Sequence, residues 1–311
     1  SREKGTRNTP QAITDEIVAK HKAGATGGDL QKNMESHCSD NRFVFRVWQG
    51  IFSFEVKEDE KVGFVTPTYF WGLPSIVRWF LEKLELRIPD SNRHYFYHVA
   101  TFGTTTGQVG RMVNALLKPK GLSLNGRFSV RMPDTWTPIF DLTDKEKIAK
   151  INREAEKQIA EATEKIEREL PGDFSRRKVP PFAVKFFYPQ YEKARETKHF
   201  TVEDTCIGCG LCAKKCPVEA IGMQNGRPVW IKEKCTLCLG CLHRCPKFAI
   251  QYGSKTRNHG QYVNPNVKAD QAAGERPGFL KQSNVRNAVG RFVTLRGSPP
   301  PESRKTPAPR S

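Results

Sequence analysis

The sequence lacks a long uninterrupted apolar segment. Its most apolar stretch, residues 62–81, contains Pro67, Pro74 and Arg78, whereas a helix that spans a bilayer needs about 20 predominantly apolar residues. A strand, a loop and the start of a helix fit this stretch better, because proline interrupts a helix. Residues 1–4 (SREK) are polar, so we expect neither a secretion signal nor a membrane span.

Acidic residues are scarce. The 311 residues include 51 Lys and Arg against 33 Asp and Glu, which gives a formal net charge of +18, and residues 254–311 alone hold eleven Lys or Arg and three Asp or Glu. Because a basic surface attracts acidic partners over a distance, we expect acidic protein partners. No recognition motif accompanies the basic residues, so we expect no specific nucleic-acid partner.

Cysteine is absent from most of the chain. Eight of the nine cysteines lie in two compact groups, 206–216 and 235–245, and Cys38 stands apart. A secreted disulfide-rich domain spreads its cysteines more evenly, so this pattern indicates a reducing, cytoplasmic location and metal ligation. Cys38 has no partner motif, and we interpret it as an inert thiol.

Both groups have the pattern C-x₂-C-x₂-C-x₃-C-P. In bacterial-type proteins with two [4Fe–4S] clusters, three closely spaced thiolates bind one cluster and the fourth binds the other. Zinc sites, which use two C-x₂-C pairs separated by a longer stretch, fit this spacing poorly. His243 lies inside the second group and is interpreted as a surface residue. The predicted ligands are Cys206, Cys209, Cys212 and Cys245 for the first cluster, and Cys235, Cys238, Cys241 and Cys216 for the second.

Strands and helices are predicted to alternate over the N-terminal half. The order strand–helix–strand–helix–strand predicts a parallel sheet covered by helices, an α/β fold. Amphipathic helices are expected to begin at Pro74 and Val109. The strands are predicted at residues 62–66, 94–101 and 128–131.

Two further elements follow from local signals. A helix is predicted over residues 141–170, with Thr143 and Glu146 as its capping box. Asn225-Gly226, between two apolar runs, predicts a β-hairpin turn. From residue 268 onward the chain is rich in Pro, Gly, Ser and Arg, which is typical of disorder.

Together these features resemble the flavodoxin-domain ferredoxin fusion family of anaerobic bacteria and archaea. The two cysteine groups carry the resemblance, with the motifs TPTYFWGLP (66–74), RMPDTWTP (131–138) and QYVNPNV (261–267). The resemblance implies a flavodoxin-like domain followed by a small α+β ferredoxin domain with two clusters. The expected boundaries are 1–140 for the flavodoxin-like domain, 141–199 for a long helix and connector, 200–252 for the ferredoxin domain and 253–311 for a basic, disordered tail.

The resemblance also implies an FMN site at the carboxyl ends of the strands. Residues 5–9 (GTRNT) resemble the phosphate-binding loop after the first strand, and residues 102–107 (FGTTTG) resemble the third loop. Only four residues precede the first of these loops, so we expect a sheet without its first, central strand. Alternatively, the aromatic residues pack the core and an interdomain face. The candidate FMN-binding residues are Thr6, Asn8, Thr9, Tyr69, Phe70, Trp71, Gly103 and Thr104.

The sequence therefore predicts an electron carrier with two [4Fe–4S] clusters. If the N-terminal domain binds FMN, the clusters are expected to exchange electrons with it. The alternative is a flavin-dependent reductase that acts on a small acceptor. Such an enzyme needs acid–base groups beside its substrate, and the seven histidines are scattered along the chain.

Overall fold

The computed structural model describes residues 52–264, except 57, 59, 89 and 91–93, and the backbone of residues 19–22. No helix in these parts of the chain is long and apolar enough to cross a membrane. The helices are α1 (Ser75–Lys83), α2 (Val109–Leu117), α3 (Lys145–Glu167), α4 (Pro181–Phe187), α5 (Gln190–Ala194), α6 (Leu211–Lys214) and α7 (Gly240–His243). The strands are β1 (Ala19–Lys22), β2 (Ser53–Glu55), β3 (Glu60–Pro67), β4 (Glu85–Arg87), β5 (Phe96–Phe102), β6 (Gly126–Arg131), β7 (Gly172–Asp173), β8 (Phe200–Val202), β9 (Ile221–Gln224), β10 (Arg227–Trp230) and β11 (Ile250–Tyr252).

A mostly parallel five-stranded sheet, in the order β1-β3-β5-β6-β7, organises the N-terminal half. The strands β3, β5, β6 and β7 run parallel, with Val99 paired to both Val65 and Phe128. β1, which the sequence did not predict, pairs antiparallel with β3. The predicted α/β fold with a parallel sheet is confirmed, and among the described residues β1 alone lies on the outer side of β3.

Helices cover both faces of this sheet, because both faces carry buried apolar side chains. Successive residues of β3 point to opposite faces, so Phe64 belongs to one buried cluster and Val65 to the other. The helices α1 and α2 bury side chains such as Phe80 and Val113 in the first cluster. The helix α3 buries Ile159 in the second. We call β1 to β7 with α1, α2 and α3 the α/β domain.

The helix α3 begins later than the sequence predicted. The side chain of Asp144 accepts a hydrogen bond from the Lys147 backbone N–H at 2.9 Å, and the helix starts at Lys145. The predicted capping box at Thr143 is wrong, because the Thr143 N–H donates to the Asp141 side chain at 2.8 Å. This local turn at Asp141 shifts the cap by one residue.

Two antiparallel strand pairs build the C-terminal, cysteine-rich half, which we call the cysteine domain (200–252). β8 pairs with β11, and β9 pairs with β10 through the predicted turn. Asn225 and Gly226 both have positive φ angles, 49° and 75°, as a two-residue hairpin of this type requires. The short helices α6 and α7 each lie inside one cysteine group.

The folded chain continues past residue 253, where the expected tail begins, at least to Asn264. The buried Thr256 hydroxyl donates to Gln251 Oε1 at 2.7 Å and accepts from the Tyr252 N–H at 3.0 Å. The Tyr262 hydroxyl donates to Asn152 Oδ1, on α3, at 3.0 Å. This segment therefore joins the two domains, and the rest of the expected tail lies outside the described residues.

The position of the cap leads to a first prediction. Asp144→Ala should lower the free energy of unfolding by about 1 kcal/mol, because an N–H of the first turn loses its acceptor. Thr143→Ala is the matched control and should change it by less than about 0.5 kcal/mol. Urea unfolding under anaerobic conditions, followed by circular dichroism, measures both. A larger loss in the Thr143 variant would contradict the assignment of the cap.

Candidate functional site: two cysteine groups and an interdomain cavity

The first cysteine set surrounds a small pocket near the surface. Cys206, Cys209, Cys212 and Cys245 all line it. Burial raises the pKa of the Cys212 thiol to about 11, and the sulfurs of Cys209 and Cys245 also raise it. Cys245 thus lies with the three cysteines of the first group although it comes from the second.

The second set is more deeply buried. The pKa of the Cys238 thiol is raised to about 12, mainly by burial and also by the sulfurs of Cys216 and Cys235. The pKa of the Cys241 thiol is also well above its usual value, first from burial and then from Cys238, Cys216 and Cys235. Cys216, from the first group, therefore lies with the three cysteines of the second. The eight cysteines of the two groups are thiols rather than disulfides.

Backbone N–H groups point at several of these sulfurs. Ala220 donates to Cys216 at 3.2 Å, and Ala249 donates to Cys245 at 3.3 Å. The two contacts occupy equivalent positions, four residues after the last cysteine of each group. Such bonds stabilise a metal-bound thiolate and tune the metal centre. Crowded, buried thiolates are unfavourable without positive charge nearby, so a cationic iron–sulfur core fits these residues.

The two cysteine loops share a backbone shape but differ in sequence. Gly208 and Gly210 have positive φ angles of 66° and 70°, and the equivalent Leu237 and Leu239 have 58° and 53°. This conformation costs a non-glycine residue about 1–2 kcal/mol. Both leucines are almost fully buried, and burying a leucine contributes about 1.5–3 kcal/mol, so burial offsets the strain in the second loop.

A cavity of about 870 Å³ lies between the carboxyl ends of the α/β-domain strands and the second cysteine loop. We call it the interdomain cavity, and its volume is within the usual range of about 300–1,000 Å³ for cofactor sites. Cys238 lines it from the cysteine domain. The predicted residues that line it are Tyr69, Phe70, Trp71, Gly103 and Thr104.

A strained turn forms the aromatic wall of the cavity. Phe70 and Trp71 have φ angles of 48° and 66°, and Tyr69 and Gly72 exchange backbone hydrogen bonds at 2.8 and 2.9 Å. Bulky residues in this conformation store strain, which is typical of functional sites. Trp71 stacks on Phe187 of α4, with ring centroids 4.1 Å apart. These aromatics thus line the cavity and also pack against the connector.

Asp134 places a carboxyl group in the same wall. A Cβ atom on Gly103 would lie 2.1 Å from Asp134 Oδ2, so glycine is required for this close approach. Burial raises the pKa of Asp134, while the Trp136 N–H, which donates to it at 3.1 Å, lowers it. Asp134 lies in the motif RMPDTWTP (131–138), but the sequence did not predict it as a site residue, because its position depends on contact with the loop after β5.

Three buried hydroxyl groups in the lining of the cavity lack protein partners. Thr68 Oγ1, Thr105 Oγ1 and Thr236 Oγ1 have no hydrogen-bond partner among the described residues. Buried polar groups are nearly always satisfied, so these three point to a polar ligand. The first two follow β3 and β5, where FMN is expected in this type of fold.

His243 is buried rather than on the surface, which corrects the sequence interpretation. Its Nε2 bonds to the Thr135 carbonyl oxygen at 2.9 Å, and its Nδ1 accepts from the Tyr262 N–H at 3.3 Å. Burial lowers the pKa of His243 to about 4. The neutral side chain therefore holds α7 to the loop after β6.

Tyr191 of α5 links the α/β-domain side of the interdomain cavity to the second cysteine loop. Its hydroxyl donates to the Thr236 carbonyl oxygen at 2.8 Å and accepts from the Ser75 N–H at 3.3 Å. The connector thereby contacts both α1 and the second cysteine loop. The remaining predicted site residues, Thr6, Asn8 and Thr9, and the lone Cys38, lie outside the described residues.

Comparison with known proteins identifies both halves. The family model for a flavodoxin domain matches residues 28–161, and the model for a 4Fe-4S dicluster domain matches residues 198–258. No solved structure matches the chain.

Several curated archaeal proteins resemble the chain over its cysteine-rich part. A ferredoxin of Pyrobaculum islandicum is 39% identical over 54 residues, which is 17% of this chain and 50% of the relative. A component of an ion-translocating oxidoreductase complex of Methanosarcina acetivorans is 38% identical over 61 residues, 20% of this chain and 23% of the relative. An uncharacterised ferredoxin of Methanocaldococcus jannaschii is 43% identical over 53 residues, 16% of this chain and 29% of the relative. The chain thus matches half or less of each of these relatives.

The strained aromatic turn leads to a second prediction. Gly107→Ala should destabilise the protein by about 1–3 kcal/mol more than Gly121→Ala. Both glycines have positive φ angles, but a Cβ at Gly107 would lie 2.0 Å from the Trp71 carbonyl oxygen, and one at Gly121 would meet nothing within 4 Å. The control therefore isolates the clash from the backbone strain. Equal decreases in the free energy of unfolding, measured by anaerobic urea unfolding, would contradict the prediction, because they would show that the turn moves to relieve the clash at no cost.

Proposed function

Since this chain joins a flavodoxin domain to a 4Fe-4S dicluster ferredoxin domain, we propose that it transfers electrons between FMN and two [4Fe–4S] clusters. One observation carries the proposal. Cys238, a ligand assigned to the second cluster, lines the same cavity as the residues expected to bind FMN. The occupant of the cavity and the second cysteine set therefore share a wall.

The ligand sets follow the grouping of the sulfurs. Cys206, Cys209, Cys212 and Cys245 hold the first cluster, and Cys235, Cys238, Cys241 and Cys216 hold the second. Two observations support this crossed assignment: the first set shares a pocket, and the sulfurs of Cys216 and Cys235 raise the pKa values of Cys238 and Cys241. Each group thus gives one ligand to the other cluster, which places the two clusters side by side.

The FMN site combines the aromatic wall with the unsatisfied hydroxyls. Thr68 and Thr105 would donate hydrogen bonds to polar atoms of FMN, and Phe70 and Trp71 would exclude water from one side of it. Tyr69, Gly103 and Thr104 complete this part of the lining. FMN exchanges electrons singly or in pairs, which connects two-electron donors to one-electron clusters.

The surroundings of the two sets give the pathway a direction in space. The second set faces the interdomain cavity, while Cys209 of the first set is exposed and its neighbour Ile207 is 60% exposed. We therefore propose that the first cluster would be the point of exchange with a protein partner. We also expect this exchange to take place in the cytoplasm of an anaerobe. The net charge of +18 favours an acidic partner.

Asp134 supports a second candidate function, reduction of a small acceptor in the cavity. The carboxyl group of Asp134 is half-buried and lines the cavity, and a carboxyl group beside a redox cofactor is suited to supply a proton. Steady-state turnover of a small acceptor without any protein partner would favour this reductase over the carrier.

A third prediction concerns the clusters. After anaerobic reconstitution the protein should hold about eight iron atoms. Cys216→Ala and Cys245→Ala should each lower the iron content towards about four, because each removes a ligand from one cluster. Cys38→Ala is the control and should leave iron unchanged. Iron and sulfide assays decide, and full iron content in either of the first two variants would refute its assignment as a ligand.

A fourth prediction concerns the flavin. The protein should bind about one FMN, and Thr105→Val should weaken binding about two- to tenfold through the loss of one hydrogen bond. Thr163→Val is a matched control, since its buried hydroxyl also lacks a partner among the described residues but does not line the cavity. Fluorescence titration with FMN measures both affinities. Undiminished affinity in the Thr105 variant would exclude that hydroxyl from the site.

A further inference from the structure

The duplicated cysteine groups differ at the residue before their last cysteine. Lys215 precedes Cys216, and Arg244 precedes Cys245. Arg244 lines the interdomain cavity together with Cys238, whereas Lys215 does not line it. Equivalent positions in the duplicated loops therefore carry cations in two different settings.

The guanidinium of Arg244 has an unused donor. Its Nη1 atom is buried and has no hydrogen-bond partner among the residues that the structure describes. A guanidinium stays charged and carries five N–H donors in a fixed plane. A buried charged donor without an acceptor is unfavourable, so the position of Arg244 indicates an anionic acceptor in the space that it shares with Cys238.

We propose that Arg244 is a positioning residue that stabilises the reduced form of the second cluster and so raises its reduction potential relative to the first. This inference rests on the proposed function, because it requires two bound clusters. A [4Fe–4S] centre with four thiolates is already anionic and gains one more negative charge on reduction. A fixed positive charge beside it therefore stabilises the reduced form more than the oxidised form.

The surroundings of the second set explain why such a charge is needed. Cys235 is buried, and Cys209 of the first set is exposed. Burial disfavours added charge, so a buried cluster without compensation is harder to reduce than an exposed one.

Arg244 thereby adjusts the step between the cavity and the exposed cluster. In the second cluster the charge of Arg244 would stabilise the added electron. In the first cluster, which is nearer the surface, solvent would do so. Lys215 is half-buried, directly precedes Cys216 and does not line the cavity. It therefore carries the same charge without facing the space that Arg244 shares with Cys238.

The test is a redox titration of the reconstituted full chain, followed by electron paramagnetic resonance. Arg244→Gln should move one cluster wave to lower potential by about 59 mV, a tenfold change in a one-electron equilibrium constant, and leave the other wave in place. Lys215→Gln, the same change at the equivalent position, should not move that wave. Arg244→Lys keeps the positive charge, so the equilibrium constant for reduction of that cluster should stay within about twofold of the parent value.

The inference is overturned when Arg244→Gln moves neither wave, or moves both equally. A tenfold shift in Arg244→Lys also overturns it, and this variant decides the question when Arg244→Gln loses iron. The iron content of the parent distinguishes the two proposals. A parent with fewer than two clusters defeats the proposed function, whereas a parent with two clusters and no shift in the variants defeats this inference alone.

Discussion

Crowding of sulfur atoms in a buried space is the constraint on which the structure depends. Eight thiols converge in two sets, and burial together with neighbouring sulfurs raises the pKa values of Cys212, Cys238 and Cys241. As free thiolates they would repel each other. As neutral thiols they are weak hydrogen-bond acceptors for backbone donors such as the N–H groups of Ala220 and Ala249. Iron–sulfur cores satisfy both needs, because they supply positive charge and keep the sulfurs as acceptors. We therefore expect folding and cluster binding to be coupled in the cysteine domain.

The same loop serves two different environments. Left-handed backbone positions recur in both groups, as glycine at Gly208 and as leucine at Leu237. In the first loop Ile207 is exposed, and the equivalent Thr236 is buried against the connector. Duplication thus preserved the geometry that sulfur ligation requires, while the side chains diverged. The divergence makes one set face the cavity and the other face solvent, which gives a symmetric motif an asymmetric role.

Local patterns predicted what local interactions determine. The cysteine spacing, the alternation of strands and helices and the Asn225-Gly226 turn are properties of short segments, and the structure contains them. The cap of α3 was misplaced because an adjacent turn at Asp141 competes for the Thr143 N–H. The burial of His243 depends on Thr135, 108 residues away, and no local pattern encodes such a contact. The loop motifs predicted Tyr69, Phe70, Trp71, Gly103 and Thr104, which line the cavity. The three unsatisfied hydroxyls were not predicted, since Thr68, Thr105 and Thr236 converge only after both domains fold.

Contacts from the connector and from the loop after β6 keep the two walls of the interdomain cavity in place. One wall is a turn whose central residues are in an unfavourable conformation, and it persists because Phe187 and Trp136 pack against Phe70. The other wall is the second cysteine loop, fixed through the Thr236 carbonyl by Tyr191. Because the connector holds both walls, displacement of α5 would widen the cavity and move its aromatic wall away from Cys238. Under the proposed function, the connector therefore sets the distance between FMN and the second cluster.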